Sequence, residues 1–340
     1  MTRSTAGGSA GPRRAPRHPP ELWRVPVLRT ERITPRMVRV TVGGPELANF
    51  PGGGGDQHLV LYFYPDGVTL PEPLTLTSAR VAFNTARPNM RSYTVRRHDP
   101  RTNEIDIDFV LHGGEGAAGH DEPAGAGEPD GGAGSAGHDR VVSSAGHDGA
   151  TDSAGTDGVT DSAGTDRVAE AVGHDRGTAA SGVDGGPGSA WAATARPGDQ
   201  LILVGPSPAH ELDPEVREHL LIGDETALPA IAALLEQLPD GVRARVLVEV
   251  ADAAERQPLP GAAEVDVRWL TRDGAPAGQP DRLLAAASEL DLDPDTHVWG
   301  AGERAVMLAL RGQLLGAGGL PRRQVRTTAY WRLGHVGTAT

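Results

Sequence analysis

The 340-residue chain predicts a two-domain protein: an antiparallel β-barrel followed by an α/β domain with a parallel sheet. Three observations carry this. Short Val-, Leu- and Ile-rich runs bounded by Gly, Pro and Asp fill the first part and recur at residues 200–204. From residue 218 onward, strand-like runs alternate with helical ones. Between these regions, residues 117–186 hold almost no large apolar side chain and interrupt the β-rich part.

The barrel strands are expected at 22–27, 37–42, 58–64, 91–97, 104–111 and 200–204. Residues 1–20 are polar and rich in Gly, Pro and Arg, a disordered tail in which Arg13-Arg14 lacks the apolar stretch of an export signal. The Gly52–Gly55 run reads as a flexible turn, not a phosphate loop. The barrel domain then covers 21–212, interrupted by the insertion, and the α/β domain covers 213–340. In the second domain, strands are expected at 219–222, 244–250, 265–270 and 296–299. Helices are expected at 226–238, 281–290 and 303–315, the first with Leu228, Ile231, Leu234, Leu235 and Leu238 near helical spacing.

The insertion carries 13 acidic residues and 3 Arg, and its Ser-Ala-Gly-(His/Thr)-Asp units start nine residues apart at Ser135, Ser144, Ser153 and Ser162. Calcium-binding nonapeptides carry a double Gly and one apolar position, which are missing or weak here. Low hydrophobicity and high charge predict disorder. No metal site is expected at its His120, His138, His147 and His174.

Composition excludes several functions. There is no Cys, so thiol catalysis, disulfides and cysteine-ligated iron–sulfur clusters are out. There is no Lys, so every side-chain cation other than His is Arg. A net charge of −13 argues against nucleic-acid binding. No run approaches 18 apolar residues, so no membrane span is expected. A soluble, cytoplasmic monomer is the expectation.

The most informative segment is Arg91-Ser92-Tyr93-Thr94-Val95-Arg96. In an extended strand Arg91, Tyr93 and Val95 face one way, and Ser92, Thr94 and Arg96 the other. A guanidinium fork suits a pyrophosphate, a Tyr packs on a ring or reaches a hydroxyl, and a Thr hydroxyl serves a ring nitrogen. Alone, the six residues more readily fit a half-exposed strand with solvated arginines. Further on stand Asp108-Phe109-Val110-Leu111-His112-Gly113, Gly188-Ser189-Ala190-Trp191-Ala192, Arg196-Pro197-Gly198-Asp199, Gly223-Asp224-Glu225-Thr226-Ala227-Leu228-Pro229 and Tyr330-Trp331-Arg332-Leu333-Gly334.

In this order the segments resemble the siderophore-interacting protein family, a branch of the ferredoxin–NADP reductase superfamily, over residues 22–116 and 187–337. The resemblance implies an FAD-binding barrel of ferredoxin-reductase type and an NAD(P)H-binding α/β domain. It implies that Arg91 holds the FAD pyrophosphate, with Ser92 and Arg96 on the same strand. Tyr93 would contact the ring or ribityl chain, and Thr94 would lie near the reactive flavin nitrogen. His112 and Gly113 would border the isoalloxazine edge, His112 competing with a plain strand-end role. The helix opened by Gly188 and Ser189 would face phosphate, and Trp191 is assigned to packing. The family normally runs from its His-Gly segment straight into the Ser-x-Trp segment, so the insertion departs from the pattern.

Gly223, Asp224 and Thr226 would face the nicotinamide dinucleotide, Asp224 and Glu225 acting as turn and capping groups. Gly300-Ala301-Gly302-Glu303-Arg304-Ala305 fits a Gly-x-Gly-x-x-Ala pattern. It lies at the last strand expected and lacks a following acid, so it is taken as a second nicotinamide-facing loop through Gly300, Gly302 and Glu303. Arg304, Arg322, Arg323 and Arg332 would attract an anionic ferric chelate. Arg243, Arg245 and Arg256 are candidates for an NADPH 2′-phosphate, leaving NADPH against NADH open.

The activity implied is FAD-dependent, NAD(P)H-driven reduction of a ferric siderophore, with Thr94 and His112 nearest the chemistry. Two alternatives stand beside it: a flavin-dependent electron transferase with a protein acceptor, and a siderophore-binding flavoprotein without turnover.

Overall fold

The computed structural model describes residues 19–112, 186–207, 212–213 and 215–335. The expectations for the N-terminal tail to residue 18, for Gly113 and for nearly all of the insertion lie outside the described residues.

The first sheet has seven antiparallel strands: β1 (Glu21–Thr34), β2 (Met37–Gly43), β3 (His58–Phe63), β4 (Asn89–Thr94), β5 (Arg97–Asp99), β6 (Glu104–Val110) and β7 (Gln200–Gly205). Their order is β4-β3-β7-β1-β2-β6-β5. Alternating side chains from these strands, Val25, Val40, Leu59, Leu61, Ile105, Ile107 and Leu203 among them, fill one buried core. The 64–88 connection, with helix α1 (Leu76–Ala82), covers the outer face of β3 and β7 through Leu70, Leu74, Leu76 and Phe83. Thr75 caps that helix by accepting from Ser78 N–H at 3.1 Å.

The strand expected at 91–97 is in fact two. Val95 N–H still bonds Gln57 O beside β3 at 2.8 Å, while Arg96 N–H bonds Asp106 O on β6 at 2.9 Å. The chain turns a corner between them, transferring from one side of the barrel to the other. The alternation holds up to the corner: Tyr93 and Val95 pack on the barrel core, while Met90 lies with the outer cluster.

Helix α2 (Pro187–Thr194) leads into β7. The second sheet holds β8 (Glu218–Asp224), β9 (Arg243–Val250), β10 (Glu264–Thr271), β11 (His297–Glu303) and β12 (Val325–Trp331), all parallel, in the order β10-β9-β8-β11-β12. Helix α3 (Leu228–Leu235) covers one face, and α4 (Asp281–Ser288) and α5 (Arg304–Leu315) the other. The crossover from β9 to β10 has no α-helix. Pro258 and Pro260 remove two backbone donors there, and Leu259 packs on the α3-side core instead. Strand β12 was not among the expected strands: its polar Thr327 and Thr328 weaken the apolar signal.

The barrel rests on the α/β unit through both apolar and polar contacts. Met37, 1 % exposed, is buried in the α3-side cluster, with Ile33 and Val110 beside it. Full burial of such a side chain contributes about 1.5–3 kcal/mol. Glu255 caps the β1–β2 tip, accepting from Thr34 Oγ1 at 2.5 Å and from Arg36 N–H at 2.9 Å. The Gly52–Gly55 run is not a free turn: a Cβ on the buried Gly55 would lie 2.6 Å from Leu234 N, so only Gly lets this loop meet α3. Among the described residues no helix is long and apolar enough to cross a membrane.

Candidate active site

An open parallel sheet offers a crevice at the carboxyl ends of its strands, where chain connections leave in opposite directions. Here that point lies between β8 and β11: from β8 the chain goes to β9 on one side, and β11 pairs on the other. Gly223 and the Gly300–Gly302 segment meet there. A Cβ on Gly223 would lie 2.3 Å from Ala301 O, and one on Gly302 would lie 2.8 Å from Asp224 Oδ2. Gly302 also has φ +156°, a backbone that L side chains rarely adopt. Gly300 serves close packing on Ile222, 3.1 Å from where its Cβ would be.

The turn after β8 is internally tied. Asp224 Oδ1 accepts from Thr226 N–H at 2.9 Å and from the Thr226 hydroxyl, and its Oδ2 accepts from Trp331 Nε1–H at 2.7 Å. The turn and capping role expected for Asp224 is therefore what the geometry shows. Burial, with Glu225 adding to it, pushes the Asp224 carboxyl up to about 6, against the hydrogen bonds from Thr226 and Trp331. Glu225 turns away to Arg272, which follows β10, in a two-pronged ion pair at 2.5 and 2.7 Å.

The barrel brings β4 and β6 to this crevice. Arg91 is half-buried, and its Nη1 donates to Met90 O at 2.7 Å. No carboxylate pairs with it among the described residues. Ser92 is exposed beside it. The Tyr93 ring packs on Phe109 with centroids 4.3 Å apart, and burial pushes its hydroxyl up to about 12. A Cβ on Gly188 would lie 2.1 Å from that hydroxyl, so this glycine lets the first turn of α2 close on Tyr93. Ser189 Oγ accepts from the backbone N–H of His112 at 2.9 Å, locking α2 to the end of β6. Trp191 packs on Phe63 and Phe109, as assigned.

One hydrogen bond and one electrostatic influence join the halves at the site. Thr94, buried, shares a hydrogen bond with the Tyr330 phenol of β12, which burial raises above its ordinary range. The His112 imidazole is lowered by partial burial, opposed by Glu225 and reinforced by Arg272 and Arg36, so it lies within reach of the Glu225–Arg272 pair. Trp299 Nε1–H donates to Asp56 Oδ2 at 3.3 Å, a further tie across the two sheets.

Several expectations are corrected by position. Arg96 gives both terminal nitrogens to Glu236 at the end of α3, at 2.7 and 3.2 Å, because the corner after Val95 points it at the α/β unit. Glu303 is 3 % exposed; it caps α5 through Val306 N–H at 3.0 Å and accepts from Leu333 N–H at 3.2 Å. It is a structural brace rather than a ligand-facing group. Arg322 and Arg323 precede β12 and therefore sit at the amino edge of the sheet, while Arg304 and Arg332 sit at its carboxyl edge. A seven-residue strand separates the two pairs by about 20 Å. Arg243 and Arg245 open β9, again at the amino edge, where Arg245 pairs with Glu218. Only Arg256 of those three follows the carboxyl end of β9. Sequence reasoning missed Arg272 and gave Tyr330 and Trp331 no task. The available signal for Arg272 was a charge placed just past the end of an expected strand.

Residues 216–334 match the family model of the siderophore-interacting protein, and residues 26–125 that of the siderophore-interacting FAD-binding domain. An uncharacterized protein of Mycobacterium tuberculosis is 30% identical over 91% of this chain and 90% of its own length. The chain belongs to the siderophore-interacting protein family. Other members it resembles include the ferric vibriobactin reductase of Vibrio cholerae, 24% identical over 90% of this chain and 88% of that protein. The NADPH-dependent ferric-chelate reductase of Escherichia coli is 25% identical, covering 90% and 91%. The crystal structure of a siderophore utilization protein from T. fusca superposes with a TM-score of 0.64 at 27% identity, covering 94% of this chain and 96% of that one. These family relationships agree with the resemblance carried by the motifs.

Proposed function

We propose that the chain is an FAD-containing, NAD(P)H-dependent ferric-siderophore reductase, with residues 21–212 holding the flavin and 213–340 the nicotinamide dinucleotide. One observation carries the reading. The crevice between β8 and β11 opens on the barrel edge that bears Thr94 and His112, which supports a flavin on the barrel side facing a dinucleotide on the sheet side.

The residues present fit a flavin dinucleotide. Arg91 is a half-buried cation with no carboxylate partner among the described residues, and burial lowers its pKa, so an anionic phosphate would offset its desolvation. The first turn of α2 brings backbone N–H groups close to the same strand through the Gly188–Tyr93 contact. Bound FAD would accept a hydride from the dihydronicotinamide and pass electrons singly to ferric iron.

The protein's own part is positioning. Arg91 would clamp the pyrophosphate, with Ser92 beside it, and Tyr93, held by Phe109, would line the ring and ribityl chain. Thr94, tied to Tyr330, would offer its hydroxyl to the ring nitrogen. His112, lowered by burial and so neutral at pH 7, would close the ring edge without adding charge. Gly223, Thr226, Gly300 and Gly302 would leave room for the dinucleotide backbone. Arg304 and Arg332, exposed at the carboxyl edge, would attract an anionic ferric chelate. Iron leaves once reduced because the ferrous ion is held less strongly by hard oxygen ligands. Both faces of the crevice come from one chain, so a monomer suffices.

The test is purification followed by flavin absorbance, then NADPH or NADH with ferric citrate and a ferrous trap. The expected result is yellow protein and trapped Fe²⁺ dependent on the nicotinamide donor. Arg91→Ala should be largely FAD-free, since a charge-assisted pair contributes on the order of 2–3 kcal/mol. Arg97→Ala, whose partner is the barrel's own Asp106, should keep its flavin. A colourless wild type, or normal flavin in Arg91→Ala, would reject the reading or the Arg91 assignment respectively.

A further inference from the structure

Arg272 lies just past the carboxyl end of β10, and its guanidinium is the hub of a buried charge cluster. Its two terminal nitrogens take both oxygens of Glu225 at 2.5 and 2.7 Å, and Nη1 lies 3.5 Å from Glu249 Oε1 on β9. The side chains of Arg272, Glu225 and Glu249 are 7, 12 and 3 % exposed. The second oxygen of Glu249 has no hydrogen-bond partner. Asp224 is the third carboxylate of the group, and its charge is felt by both Arg272 and Glu249. The Arg282 guanidinium donates to the Arg272 carbonyl at 3.5 Å, and its charge also reaches Glu249, though less strongly than that of Arg272.

Glu225 and Glu249 therefore share the Arg272 fork, while Asp224 is held by Thr226 and Trp331. Glu225 is also the middle of the turn that the β8–β11 crevice is built around. Its neighbours Asp224 and Thr226 are hydrogen-bonded to each other, so Glu225 projects from a tied turn and its ion pair anchors that turn on the β10 side. The pair faces the cleft, since the His112 imidazole on the barrel feels both charges.

We infer that Arg272 is a positioning residue for the nicotinamide dinucleotide: its fork draws the Glu225 carboxylate toward β10, keeping the Gly223–Thr226 turn open and its negative charge away from the ligand's phosphates. This rests on the reductase reading above. A guanidinium is needed because the interaction is two-pronged; an ammonium supplies the charge without the fork. The role is geometric as well as electrostatic, and the two make opposite predictions for Glu225→Gln. If charge balance alone mattered, removing this anion would tighten binding of an anionic dinucleotide. If the fork sets the turn, the same change weakens it.

The experiment is calorimetric titration of the flavin-loaded protein with NADP⁺ and NAD⁺, for wild type, Arg272→Gln, Arg272→Lys, Glu225→Gln and Arg268→Gln. Arg268 lies on β10, four residues before Arg272, and pairs at the surface with Glu289. FAD content, melting temperature and the rate at which dithionite-reduced enzyme reduces ferric citrate are measured alongside. For the dinucleotide that wild type binds, the dissociation constant should rise on the order of tenfold to a hundredfold in Arg272→Gln and Glu225→Gln. The rise should be smaller in Arg272→Lys and absent in Arg268→Gln. FAD content and dithionite-driven iron reduction should be unchanged. Wild-type affinity in Arg272→Gln and Glu225→Gln, tighter binding in Glu225→Gln, or loss of flavin or of fold in the Arg272 and Glu225 variants would overturn the inference. Failure of the wild type itself to bind FAD or either dinucleotide would instead overturn the reductase reading.

Discussion

Trp331, at the end of the last strand, donates its indole N–H to Asp224 at the end of the first strand of the parallel sheet, at 2.7 Å. The bond spans β11, which lies between those strands, and closes the carboxyl edge of the sheet over the glycine turns. It also leaves a carboxyl group buried among other acids.

That burial has a pH signature. Asp224 is raised to about 6, mainly by desolvation, from an ordinary value of 3.8. The native state takes up this proton before the unfolded chain does, so the group's contribution grows as pH falls from about 6 to about 4. It is lost as pH rises through about 6. The span is worth on the order of 2–3 kcal/mol. Asp224→Asn removes it. The melting temperature of the variant relative to wild type should therefore be more favourable at pH 7.5 than at pH 4.5. An equal difference at both pH values would show that Asp224 is not held protonated.

His219 runs the other way in the same window. It is fully buried on β8 beside His297 of β11, ring centroids 6.2 Å apart. Desolvation first, and His297 second, lower it from 6.5 to about 4. Its contribution is present above pH 6.5 and is lost as pH falls from there toward 4, on the order of 3 kcal/mol. His219→Leu should gain on wild type when melting is compared at pH 5 and pH 7.5, with the gain at pH 5. A variant equally affected at both would show that the imidazole keeps its proton when buried.

Gly188 and Gly312 make a contrasting pair. A methyl on Gly188 meets the Tyr93 hydroxyl, and that ring cannot retreat because Phe109 packs on it. Gly188→Ala should destabilise by about 1–3 kcal/mol, as overpacking does, and should lower flavin occupancy. Gly312 is an exposed position within α5 with nothing near its absent Cβ. Gly312→Ala should stabilise by about 0.5–1 kcal/mol. Thermal melts and the flavin-to-protein absorbance ratio check both; unchanged values for Gly188→Ala would mean that α2 does not close on Tyr93.

The basic residues at the two edges of the parallel sheet should separate in function. Arg304→Gln with Arg332→Gln should lower kcat/KM for an anionic ferric chelate and weaken its salt dependence, because steering acts over about 8–10 Å at moderate salt. Arg322→Gln with Arg323→Gln, at the far edge, should leave both unchanged. Initial ferrous-trap rates at low and high salt, with anionic and neutral chelates, make the comparison. A larger loss from the Arg322 and Arg323 pair would place the substrate at the amino edge and sink the crevice assignment.

The sequence by itself determined the periodicities and motifs. Apolar alternation located the barrel strands, helical spacing from Leu228 to Leu238 located α3, and the Arg-x-Tyr-Thr and Gly-Asp-Glu-Thr segments marked the two edges proposed to face the ligands. Those signals are local, since each depends on side chains a few residues apart. The tertiary structure decided everything that depends on partners far along the chain. It showed that the strand at 91–97 turns a corner, because Val95 and Arg96 bond to different strands. It turned Arg96 and Glu303 into braces, because Glu236, Val306 and Leu333 stand where a ligand was expected. It separated one arginine set into two edges, because parallel strands put residues close in sequence at opposite ends of the sheet. It also brought Arg272 to Glu225 across 47 positions. A guanidinium's partner is fixed by strand order and burial, and no local pattern encodes either.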